Sequence, residues 1–362
     1  MKRLIIILLM LFTILACEEI YHPDLEEVDN KLVVEATLNA QLQQNTIKLY
    51  RSHGFNSENK TYPPVSGAKV YLSDNLHNRT PFIEMSNGTY LLDYKLDESQ
   101  SYQLQIELDG ETYESRMQAV PEMPKLDSVY ADYATDITIS GAANNKEDII
   151  TEHGVRVYTD INNEGQISHY RFDAQKVILY VNHYDTVIKS EGGRDMVETR
   201  PIYSWKSRYP TGIFNIAGPP AYSTQKEITK HPLEFFNLNY KRIISDTVIF
   251  TGWIYIVHQY GLNEDSYNYY KDLNNQLDAQ GKIFDPVYIQ ANGNIKCLTN
   301  PDEVVLGNFE ISSYAEARYY LMYSLIIDNL SIKRIPKDYY IPNRGALKDK
   351  KPEFWDSIYM SE

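Results

Sequence analysis

Residues 101–113 read SYQLQIELDGETY, and the two-residue beat of this stretch decides the fold class. Tyr102, Leu104, Ile106 and Leu108 alternate with Gln103, Gln105 and Glu107, as in a strand with one face on a core and one in water. Asp109-Gly110 then halts the alternation. An Asp-Gly pair between alternating runs predicts a two-residue hairpin turn, because both central positions of that turn need positive φ. Working outward, strand-like runs recur at Lys31–Leu38, Asn45–Tyr50, Ala68–Ser73, Thr89–Tyr94 and Thr112–Met117, with Asn87-Gly88 as a second turn signal. No helical period of comparable length interrupts them, so residues 31–120 are expected to form one Ig-like β-sandwich.

Pro121 and Pro124 mark a break, and residues 121–362 are expected to form a larger β-rich domain. Its strand-like runs are Leu126–Tyr133, Val155–Ile161, Ile167–Phe172, Val177–Val181, Ile243–Phe250, Trp253–Gln259, Val287–Gln290, Val304–Ser312 and Ala317–Asp328. Between them, Lys189–Leu233 holds Pro201, Pro210, Gly218-Pro219-Pro220 and Pro232 and reads as a long irregular loop, the place to look for a binding surface. One inserted helix is expected near 263–281. Asn263 can cap it, Glu264 and Asp265 complement its positive start, and Tyr267, Tyr270, Leu273 and Leu277 recur at spacings of three and four before Gly281 ends it. The absence of βαβ alternation makes the whole mainly β.

A chain of 362 residues suffices for two such domains. A formal net charge of −14 disfavours nucleic acid as a partner, since phosphate binding relies on clustered Lys and Arg. Tyrosine is the compositional outlier, 31 residues against three tryptophans, which suits half-buried strands and leaves a subset of rings for a ligand platform.

The amino terminus carries an address. Lys2 and Arg3 precede an apolar run from Leu4 to Leu15, too short for the roughly 20 residues of a membrane span and of the length of a signal-peptide core. Ile14-Leu15-Ala16-Cys17 closes it and resembles the lipobox of bacterial lipoproteins, which implies cleavage after residue 16 and lipidation of Cys17. Several acyl chains, at about 0.8 kcal/mol per buried methylene, would anchor the chain to a membrane. Glu18 and Glu19 resemble the tag that sends many Bacteroidota lipoproteins to the outer face of the outer membrane, and residues 17–30 read as the tether. With Cys17 lipidated, Cys297 has no disulfide partner and is expected to be a small buried residue.

Two further resemblances concern the body. Pro64-Val65-Ser66-Gly67-Ala68-Lys69-Val70-Tyr71-Leu72, then Asn87-Gly88-Thr89-Tyr90, then Ser101–Leu104 resembles carboxypeptidase-regulatory-like and transthyretin-like sandwiches, which implies a fold and no chemistry. The segments Ser266–Leu273, Gly281–Pro286, Gly293–Cys297 and Val305–Ser313, together with Lys31–Ala36, resemble domain of unknown function family 4249, with Asn308 standing where an aromatic residue is more usual. That resemblance implies an outer-membrane lipoprotein of Bacteroidota, a partnership with a TonB-dependent receptor, and no known activity.

No catalytic residue is assigned, and no cofactor or metal is expected. Gly-x-Ser-x-Gly, His-Glu-x-x-His, Cys-x-x-Cys and phosphate-binding glycine loops do not occur. The eight histidines stand singly. His183-Tyr184-Asp185 is the one close His and carboxylate pair worth naming, and it reads as a surface pair on one face of a strand. Asp160, Asn162, Glu164 and Gly165 follow the spacing of a calcium loop, but Arg171 occupies the twelfth position, where a bidentate acid belongs, so the segment reads as a polar turn. Asp127-Ser128-Val129, Asp185-Thr186-Val187, Asp246-Thr247-Val248 and Asp356-Ser357-Ile358 resemble acceptor sites for O-glycans.

Overall fold

The structure, a computed structural model, describes residues 30–53, 61–126, 128–141, 147–162, 169–191, 194–208, 214–218, 227–237, 243–245, 248–278 and 291–322. The segment read as a signal peptide, Cys17, Gly281, Val287–Gln290 and the residues after Met322 lie outside them.

The first strands are β1 Leu32–Asn39, β2 Gln44–Arg51, β3 Lys69–Asp74, β4 Arg79–Pro81, β5 Ile83–Ser86, β6 Thr89–Asp93, β7 Ser101–Leu108, β8 Glu111–Ser115 and β9 Gln118–Ala119, of which β4, β5 and β9 were not expected from the sequence. The two turn signals act as expected: Asp109-Gly110 and Asn87-Gly88 both take positive φ at each residue and close the β7–β8 and β5–β6 hairpins. Later come β10 Ser128–Gly141, β11 Glu147–Asn162, β12 His169–Glu191, β13 Arg194–Arg208, β14 Asn215–Ala217, β15 Glu227–Asn237, β16 Ile243–Ser245, β17 Val248–Leu262, helix α1 Glu264–Asp278, β18 Ile295–Cys297 and β19 Leu306–Met322.

A ten-stranded sheet ordered β13-β12-β17-β19-β1-β2-β6-β5 runs through the molecule, with β14 and β16 at its margin. Two smaller sheets pack on it. The six-stranded sheet β18-β8-β7-β3-β4, with β9 beside β7, closes a sandwich over β1, β2 and β6. Its core joins Leu32, Val34, Ala36 and Leu38 of β1 to Leu72, Tyr102, Leu104 and Ile106, and to Phe309 and Ile311 of β19. The three-stranded sheet β10-β11-β15 covers the other end, through Val155, Val157 and Phe236 on Phe172, Tyr255 and Val257. Along β19, Phe309 and Ile311 enter the first core while Tyr319 packs on the second. Odd-numbered residues of a strand share one face, so both small sheets lie on the same side of the long one.

The protein is therefore mainly β, with sandwich-like layers and, among the described residues, one helix. Three readings of the sequence need correction. The sandwich does not consist of residues 31–120 alone: β18 pairs with β8, and β19 pairs in parallel with β1, so residues from beyond 294 complete both of its sheets. Parallel pairing of distant segments leaves no local signal. Lys189–Leu233 is not one irregular loop, because β13, β14 and much of β15 lie in it. Its prolines misled: among the described strands β13 pairs with β12 alone and β15 with β11 alone, and edge strands of this kind tolerate prolines such as Pro201 and Pro232. Val304–Ser312 and Ala317–Asp328 are not separate, since β19 is continuous from Leu306 to Met322.

Cys297 is buried in the sandwich core and unbridged, with its thiol 3.7 Å from a Glu111 carboxylate oxygen. Beside it, Asn294 fills the edge of β19 that β17 does not reach. Its amide donates to the Phe309 carbonyl at 2.7 Å and its oxygen accepts from the Phe309 N–H at 2.8 Å, imitating a neighbouring strand. Asn294→Ala would leave both backbone groups buried without partners, and urea denaturation is expected to show a loss of about 2 kcal/mol.

Candidate ligand-binding site

The face of the long sheet opposite the two small sheets carries α1. Asn263 precedes the helix as expected, its carbonyl accepting from Tyr267 N at 3.1 Å while its side-chain amide donates to Ala119 O at 2.8 Å. Asp265 in the first turn takes Arg116 at 2.8 Å and Gln118 at 3.2 Å, tying the helix start to β9 and its approach. Ser266 and Tyr270 are buried against the sheet, whereas Leu277, expected on the apolar stripe, is 45% exposed.

Under the helix lies an ion pair. Arg171 of β12 reaches Glu310 of β19 at 3.2 Å, and the Tyr270 hydroxyl donates to the other carboxylate oxygen at 2.6 Å. The guanidinium sits 4.2 Å from the Tyr260 ring centre and 5.2 Å from that of Tyr270. Although burial alone would lower it, the charge on Glu310 helps hold the Arg171 pKa above the ordinary arginine range; burial pushes Tyr270 up. Arg171, read from the sequence as a residue that spoils a calcium loop, is thus the cation that joins three elements. Asp160 of that segment instead accepts from Tyr130 at 3.0 Å and from Lys230 N at 2.6 Å.

Beside this pair a cavity of about 430 Å³ opens between α1 and the outer face of β1, β2 and β19. Val33, Glu35 and Thr37 line it from β1, Tyr50 from β2, Tyr269, Tyr270, Leu273 and Gln276 from the helix, and Phe214 from just before β14. The strand beat explains the contribution of β1: Leu32, Val34, Ala36 and Leu38 fill the sandwich core, so Val33, Glu35 and Thr37 face the helix. Rings cluster along one wall, with Phe214 and Tyr270 centred 4.8 Å apart and Tyr269 and Tyr270 5.8 Å apart. Burial raises the pKa values of Tyr50 and Tyr269, and the Glu35 carboxylate adds to both, placing that charge near the two hydroxyls. Asn308 lines the floor; its amide donates to Ser266 Oγ at 3.2 Å and its Oδ1 is buried without a partner. A cavity of this size, mostly apolar with a few convergent polar groups, has the form of a small-molecule site.

A family model for a domain of unknown function, DUF4249, matches residues 18–318. The chain belongs to the DUF4249 family. The match spans every element described above except the last residues of β19, and so includes the whole wall of the cavity. No curated protein matches the chain.

The other sequence candidates do not gather at this cavity in the DUF4249 chain. His183 and Asp185 stand on β12, in register with Ile202 and Arg200 of β13. Of the sites resembling O-glycan acceptors, Asp127, Asp246, Thr247 and Asp356-Ser357-Ile358 fall outside the described residues. Among those residues, no three His, Cys, Asp or Glu side chains are grouped as metal ligands. Tyrosine enrichment was the signal that could have found the cavity, but its rings come from segments far apart in the sequence.

His231 of β15 illustrates how the second core responds to acid. Its ring stacks on Phe172 with centres 5.1 Å apart and its Nε2 lies 2.6 Å from Asn215 Oδ1, and burial pushes its pKa down to about 4. The folded value lies below the unfolded value near 6.5, so the unfolded chain binds the proton more tightly. The contribution of His231 is full above pH 6.5 and is lost as the pH falls toward 4, at up to about 1.4 kcal/mol per pH unit. Urea midpoints measured from pH 7 to 4.5 are expected to fall more steeply for the native chain than for His231→Gln.

Proposed function

We propose that this protein is a non-enzymatic outer-membrane lipoprotein of Bacteroidota, anchored through Cys17, that binds ligand as an accessory to a TonB-dependent uptake channel. The observation that carries the reading is the lipobox-like Ile14-Leu15-Ala16-Cys17 after its apolar run, with the DUF4249 match beginning at the next residue, Glu18. The sandwich, of the carboxypeptidase-regulatory-like type, serves as the module nearest the anchor, because β1 follows the tether directly. The cavity under α1 is where ligand would bind, and the acidic coat suits an exposed surface without nucleic acid as partner.

Two measurements test this. Metabolic labelling with a palmitate analogue should mark the native chain and not Cys17→Ser, and an unlabelled native chain removes the anchor. A mild-detergent pull-down from the native host with a carboxy-terminal tag should recover a TonB-dependent channel in stoichiometric amount. Recovery of the labelled lipoprotein alone would overturn the transport role in favour of surface adhesion, a structural envelope role, or a hydrolase with an unrecognised site.

A further inference from the structure

We infer that the cavity under α1 takes an organic cation, a primary ammonium on an aliphatic stem such as a lysine side chain. The inference deepens the reading of the protein as a ligand-binding component and rests on it. Among the described residues lining the cavity, Glu35 is the one that carries a charge. It projects from β1 on the helix-facing side, with Tyr50 on the adjoining strand and Tyr269 on the helix across the cavity. Its cross-strand neighbour on the same face is Lys48, yet no ion pair joins the two. The nearby cation, Arg171, is committed to Glu310 and to the rings of Tyr260 and Tyr270.

The wall thus offers a carboxylate without a counter-ion beside aromatic rings. None of the residues described as lining the cavity is cationic, so an anion gains no ion pair from its wall. A positive charge gains from Glu35 and from the electron-rich rings together, the combination that favours ammonium groups. Val33, Leu273, Leu306 and Phe214 supply the apolar surface on which a methylene stem packs. A net charge of −14 draws cations toward the molecule before they reach the site.

The test is a calorimetric titration of the full-length chain in a nonionic polyoxyethylene detergent, with three probes: Nα-acetyl-lysine amide, its neutral isostere Nα-acetyl-norleucine amide, and maltose. The lysine derivative is expected to bind saturably and at least about tenfold more tightly than the norleucine derivative. Glu35→Gln, at an exposed position, is expected to erase that preference while leaving the melting temperature unchanged, and Tyr269→Leu to weaken binding of the cation. Equal affinity for the two amides, or a preference that survives Glu35→Gln, would overturn the assignment. Saturable maltose binding weakened by Glu35→Gln would overturn it in favour of a polyol site. A channel recovered by pull-down with no cation bound removes the ligand class and spares the accessory role; cation binding with no channel recovered does the reverse.

Discussion

Arg171→Ala is expected to cost about 3–5 kcal/mol of folding stability, read as a shift of the urea unfolding midpoint at constant slope. The reason is what it leaves behind. Glu310 is 1% exposed, and without the guanidinium its charge would stay buried with the Tyr270 hydroxyl as its remaining partner. Two cation–ring contacts would vanish as well. Losing one partner of such a pair is costly, whereas replacing the whole group by apolar side chains of similar volume is often close to neutral. Arg171→Met combined with Glu310→Leu and Tyr270→Phe should therefore recover most of the loss. A single-variant cost below about 1 kcal/mol, the ceiling for exposed pairs, would show that the pair is solvated and does not fasten α1 to the sheet.

Gly307→Ala is expected to cost about 3 kcal/mol or more, because two penalties coincide at one residue. Gly307 has φ +92°, and an added Cβ would fall on the Val34 carbonyl oxygen, a backbone atom of the paired strand that cannot step aside. Gly293 approaches the Gly307 carbonyl just as closely, so three backbones crowd together where β1, β19 and the approach to β18 meet. Gly110→Ala separates the two penalties: Gly110 has φ +89° and nothing within 4 Å of the added carbon, so the conformational cost of about 1–2 kcal/mol stands alone. Equal losses in the two variants would mean that β1 and β19 have room to part.

The contrast between these glycines also shows what the sequence could reveal. Gly110 announces itself through its neighbour Asp109 and the alternating runs on either side, all within a dozen residues. The β7–β8 hairpin, the alternation of β1 and the acidic start of α1 were legible for the same reason, since each is decided by local backbone preference and burial. Gly307 carries no such mark, because its need arises from Val34 at the far end of the chain. Arg171 looked like the residue that breaks a calcium loop, and its partner Glu310 was one acid among many. The cavity was illegible on the same ground: Glu35, Tyr50, Phe214 and Tyr269 come from four separate stretches of chain that share a face only once the long sheet has formed. Pro201 and Pro232 misled in the opposite direction, since a proline is evidence against a central strand and no evidence against an edge.

The parallel contact of β1 with β19 also sets the order in which the chain can acquire structure. The first strand emerges early, yet the edge that becomes bonded to residues 306–312 stays open until nearly everything else has been synthesised. Contacts so remote in sequence slow folding, because a long loop must close before its reward is collected. An unpaired edge meanwhile invites other strands. A chain truncated before β18 would lack one strand from each sheet of the sandwich and would be expected to aggregate. The same dependence keeps the body incomplete until its last strands have been made, so the amino-terminal half waits on the carboxy-terminal half to close its core.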